Sequence, residues 1–75
     1  MSDGMQEFSV SDVEYNLITT LSNLLQSEEV LAKYAEDADS SGDSESATLF
    51  RTLRENNKRS ASEFRRALAR HLHQG

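Results

Sequence analysis

A chain of 75 residues has room for one small domain, and a lone domain of this size is hard to stabilise without disulfides, a metal or a partner. It contains no cysteine, which excludes disulfides and thiolate metal sites, and no proline, which suits long unbroken helices. The net charge of −5 hides a split: residues 1–43 carry ten acids against the single base Lys33, whereas residues 44–75 carry seven bases against three acids.

Residues 1–10 (MSDGMQEFSV) are polar with scattered apolar side chains and read as a mobile tail. No basic stretch followed by an apolar run opens the chain, so no secretory leader is expected. No apolar run approaches the ~20 residues needed to span a bilayer. No membrane partner and a cytoplasmic location are the resulting expectations.

Residues 11–75 read as one helical domain. Ser11 followed by Glu14 forms a capping box, with Val10 and Tyr15 placed for a hydrophobic staple, so a first helix is predicted from about 11 to 40. Its apolar residues recur at Leu17, Leu21, Leu24, Leu31, Ala35 and Ala38, in steps of three and four. The turn Ser40-Ser41-Gly42-Asp43 follows, with Gly42 supplying a left-handed stop and Asp43 or Ser44 the next cap. A second helix is predicted from about 44 to 73, with its apolar series at Phe50, Leu53, Ala61, Phe64, Leu68 and Leu72. The fold class is therefore all-α: an antiparallel two-helix hairpin turning at Gly42. The acidic first helix beside the basic second biases this pairing, although isolated surface pairs contribute only ~0–1 kcal/mol each.

The apolar stripes are broader than one hairpin contact uses, because Ile18, Leu25, Tyr34, Leu49 and Ala67 flank the main series. Covering them predicts a homodimer that closes a four-helix bundle. Its interface is expected at Leu17, Leu21, Leu24, Leu25, Leu31, Phe50, Leu53, Phe64 and Leu68. A different protein supplying two helices would satisfy the same argument.

Two polar residues interrupt the apolar series, Glu28 and Asn57. Folding about Gly42 opposes residues whose numbers sum to about 84, which brings these two close together. Three readings stay open. The pair is a polar layer able to hold a metal or small polar ligand; it is a register-fixing pair; or Glu28 turns to the edge and is solvated.

The stretch Lys33-Tyr34-Ala35-Glu36-Asp37-Ala38, with Gly42, Ala47, Phe50 and Ala61, resembles the helix–turn–helix half of ferritin-like proteins, rubrerythrins in particular. The resemblance covers roughly residues 24–64 and implies a four-helix bundle. That family holds two metal ions with a Glu on the first helix and a Glu-x-x-His pair on the second. Aligned on the glycine, those positions fall on Leu24, Asn57 and Ser60, and the chain has no Glu-x-x-His. The resemblance therefore implies the bundle without the family's metal ligands, and neither a ferroxidase nor a peroxidase.

No other motif points to chemistry. His71 and His73 are two apart and diverge on a helix. The serines lack a His–Asp arrangement that would activate a nucleophile. The acids Asp37, Asp39, Asp43 and Glu45 lack the spacing of a calcium loop and suit capping instead. Arg51, Arg54, Lys58 and Arg65 line one flank of the second helix, but no aromatic residues alternate with them, and nucleic acid is not expected as a partner. The expectation is a small non-enzymatic interaction or scaffold module acting as a homodimer, with no metal or cofactor. The alternative is a degenerate ferritin-like protein that binds a metal or small polar ligand at the Glu28/Asn57 layer.

Overall fold

The structure is a computed structural model and describes residues 12–74. Two helices make up nearly all of it: α1, Asp12–Ser40, and α2, Ser44–Gln74. There is no strand among the described residues. Ser11 and Val10, half of the predicted capping box and staple, lie outside the described residues. The remaining boundaries agree with the sequence pattern to within a residue.

The turn shows why the helices stop where they do. Gly42 has φ +80°, a left-handed conformation that costs an L side chain about 1–2 kcal/mol. Its amide donates to the Asp39 carbonyl at 3.0 Å, and the Asp43 amide donates to the Ala38 carbonyl at 2.9 Å. These are the two bonds of a Schellman motif, and they satisfy carbonyls that the last turn of α1 leaves open. Asp43 then caps α2. Its Oδ1 accepts from the Ser46 amide at 3.0 Å and its Oδ2 from the Ser46 hydroxyl at 2.7 Å. Of the two candidate caps, Asp43 fills the role and Ser44 becomes the first helical residue.

The helices meet along one seam. Nearest the turn, Arg51 pairs with Asp39, and the rings of Tyr34 and Phe50 lie 5.6 Å apart between centroids, tilted by 59°. Farther away, Arg54 Nε donates to the Glu28 carbonyl at 2.9 Å and Asn57 Nδ2 donates to Ser27 Oγ at 3.0 Å. Tyr34/Phe50 and Ser27/Asn57 both have residue numbers that sum to 84.

Among the described residues, the buried ones are Leu31 (7% exposed), Ala35 (2%), Ala47 (0%) and Ala61 (3%). Three of these four are alanines, which let the backbones approach closely but bury little apolar area. No large side chain is fully buried among the described residues. A pair of helices is a single layer, whereas a domain core lies between two packed layers. The radius of gyration, 16.5 Å, exceeds the ~11 Å of a compact 75-residue domain, as an elongated pair requires.

Candidate functional site

The seam's polar stretch lies at mid-helix and is built from four residues, two on each helix. Ser27 and Glu28 come from α1, Arg54 and Asn57 from α2, and all four are half-buried. On α2, Arg54 and Asn57 lie in the series Ala47, Phe50, Arg54, Asn57, Ala61, Phe64, Leu68, which steps by three and four along the seam. Leu53, assigned to this series from hydrophobicity, is exposed. The seam prefers Arg54 because a long side chain buries its methylenes while the guanidinium reaches a polar partner. That partner is the Glu28 carbonyl.

Asn57 and Glu28 thus come within a residue of each other, but they do not form a bonded pair. The Asn57 amide donates to Ser27, the neighbour of Glu28. Ser27 and Arg54 were missed by a reading that looked for polar interruptions of an apolar series. The sum of 84 would have found Ser27, and the three-and-four step from Ala47 would have found Arg54. No buried side-chain nitrogen or oxygen is left without a hydrogen bond among the described residues. No three His, Cys, Asp or Glu side chains cluster as metal ligands among the described residues.

The other sequence candidates have local roles. Asp37 accepts from the Ser41 hydroxyl through its carbonyl at 3.0 Å, and its carboxylate lies 3.9 Å from Lys33 Nζ. Asp39 pairs with Arg51, and Asp43 caps α2. The hydrogen bonds from the Ser46 hydroxyl, then from its amide, hold the Asp43 carboxyl below its usual range, because they favour the charged form. His71 and His73 both lie in the last turn of α2. Two apart on a helix, they face different directions.

A surface depression of about 630 Å³ is lined by Glu63, Arg66, Ala67, Ala69, Arg70 and His73. All six belong to α2, so among the described residues no second element walls the depression. No helix among the described residues is long and apolar enough to cross a membrane.

The residues expected at a dimer interface divide by exposure. Leu31 is covered by its own chain. Leu17, Leu21, Leu24, Phe50, Phe64 and Leu68 are half-buried, and Leu25 and Leu53 are exposed. Val13, Ile18, Val30, Tyr34, Leu49 and Leu72 are exposed as well. Among the described residues, many large apolar side chains are therefore left at the surface. Comparison with protein-family models, curated proteins and solved structures gives no match.

Proposed function

We propose that the chain is an antiparallel helical hairpin that pairs with a second copy of itself into a four-helix bundle, and that it serves as a non-enzymatic interaction or scaffold module. The observation that carries this reading is the contrast between a core of one leucine and three alanines and the many large apolar side chains left exposed. A small domain that buries so little is marginal alone, and a second hairpin supplies the missing layer. The resemblance to ferritin-like hairpins points to the same assembly. The mid-seam polar residues act as a register device: Asn57–Ser27 and Arg54–Glu28 are satisfied together only when the helices are aligned as observed.

Native mass spectrometry of the full chain, purified from its own host without chelators, tests the proposal. The expected result is a mass of two chains with nothing added. A bare single chain would overturn the homodimer. A dimer with extra mass from metal or a small molecule would overturn the ligand-free module and put Glu28 under test by substitution.

A further inference from the structure

We infer that the basic face of α2 beyond Asn57 docks a short acidic, amphipathic segment of another protein. Arg66 and Arg70 grip its carboxylates, and the surface at Ala67 and Ala69 takes its apolar side chain. This goes beyond the homodimer reading and stands whether or not the chain pairs with itself.

The charge of this face is not balanced within the hairpin. Residues 57–74 carry five bases, Lys58, Arg59, Arg65, Arg66 and Arg70, against the single acid Glu63. The register that pairs Tyr34 with Phe50 and Ser27 with Asn57 sets this half of α2 beside the first half of α1. There, residues 15–27 hold no Asp, Glu, Lys or Arg, and only Asp12 and Glu14 stand at the same end. The other acids of α1 gather at residues 28–40, beside the other half of α2. None of Arg59, Arg65, Arg66 and Arg70 is ion-paired among the described residues, and all four are exposed. Arg59 donates to Asn56, and Arg66 donates to Ser62 at 3.3 Å, both uncharged residues of the same helix. A guanidinium has five donors, so one such bond leaves it able to engage an anion.

The shape suits a protein segment. Arg59, Glu63, Arg66, Arg70 and His73 recur in steps of four and three and so share one face. Arg66, Arg70 and His73 line the depression described above, together with its one acid, Glu63, and the two alanines. Small apolar side chains among basic ones leave room for an apolar side chain flanked by carboxylates. A docked segment supplies the second wall that α2 alone does not. Four of the five bases are arginines, whose planar fork meets a carboxylate with two parallel hydrogen bonds.

The same fork meets phosphate, but three observations favour protein over nucleic acid. Phe64 is the one aromatic residue of 57–74, and it is half-buried, so no ring is offered for stacking on bases. Residues 28–56 carry eight acids against three bases, so a polymer charged evenly along its length is repelled where it leaves the basic half. A short acidic segment stays on that half. The alanines, finally, offer apolar contact that a phosphate backbone does not use.

The test titrates the full chain with three labelled probes of equal charge, at low and at physiological salt. They are a synthetic peptide of glutamates with leucines at helical spacing, oligo-glutamate, and single-stranded DNA. Fluorescence anisotropy gives the affinity, amide NMR shifts give the site, and circular dichroism reports helix content. The leucine-containing peptide should bind tightest, weaken as salt rises, and shift the amides of residues 63–73 most. Arg66→Glu combined with Arg70→Glu should weaken it at least about tenfold. Lys33→Glu combined with Arg51→Glu makes the same change of net charge in the turn half and should weaken it less than about threefold. No binding of the peptide, or equal losses in the two double variants, overturns the proposal. DNA that binds as tightly as the peptide overturns it too, because the face is then a general polyanion site. Shifts at residues 63–73 that grow with the concentration of the chain alone also overturn it, because a second copy is then the occupant. Should the Arg66/Arg70 variant lose helix content, the natural chain decides: peptide-induced shifts centred on residues 63–73 support the site, and shifts centred elsewhere overturn it.

Discussion

Asp43 works on both sides of the turn. Its amide closes the end of α1 and its carboxylate opens α2. The carboxyl's pKa is lowered from the ordinary 3.8 by the bonds from Ser46. A lowered folded-state pKa means that the stabilisation is fully present above the unfolded value and is lost as pH falls through the folded value, below 3.8. Asparagine at this position still accepts a capping bond but does not titrate. Thermal melts of the natural chain and Asp43→Asn should therefore differ at about pH 6, with the natural chain more stable, and converge on acidification below 3.8. A gap that stayed constant through that range would mean that the carboxylate's charge does not contribute. The sequence offered Asp43 and Ser44 as equivalent caps, because both residue types cap well. The choice was made by the left-handed Gly42, which sets the residue after it at the helix entrance.

At the scale of the elements, the seam follows volume and reach more than hydrophobicity. Ala35, Ala47 and Ala61 are its most buried residues, so the helices lie close where they occur. Leucine at Ala61 would force the backbones apart and should cost about 1–3 kcal/mol, a drop of roughly 4–8 °C in Tm per kcal/mol for a chain this long. Leucine at the exposed Ala69 is the control and should change stability by less than about 0.5 kcal/mol. Equal losses at the two sites would mean that α2 is oriented differently. Both helices and the turn were legible in the sequence, because their signals are local: the apolar periods, the caps and one glycine. The seam's composition was less legible. Leu53 looked like a seam residue because hydrophobicity alone cannot separate a side chain facing its own partner helix from one facing outward. Arg54 looked like a surface residue because its charge outweighs its long apolar stem in any such reading.

At the scale of the whole molecule, two helices cannot enclose what they carry. The charge split fits this picture. The acidic α1 and basic α2 can attract each other within a chain, as Asp39 and Arg51 do, while two intact chains repel through their equal net charge. Electrostatics then favours the pairing of helices within the chain over the pairing of one chain with another. The polar candidates, Glu28 and Asn57, were legible as interruptions, and their nearness followed from the turn. Their bonding partners were not legible, because a shift of one residue along the seam exchanges Ser27 for Glu28 and hydropathy patterns do not resolve that step.

The left-handed turn also has a consequence for the mirror image of an amino acid. Nothing lies within 4 Å of the position where a β-carbon on Gly42 would sit, so a substituent there meets no neighbour and only the backbone angle matters. At φ +80° the natural enantiomer of alanine is strained, and Gly42→Ala should lose about 1–2 kcal/mol. The D enantiomer finds that angle comfortable and also narrows the unfolded chain's freedom. A synthetic chain with D-alanine at position 42 should therefore gain about 0.4–1 kcal/mol. Thermal melts of the two stereoisomers, identical in composition and side-chain volume, should fall on opposite sides of the glycine chain; a shift of the same sign for both would mean that Gly42 is retained for something other than its handedness.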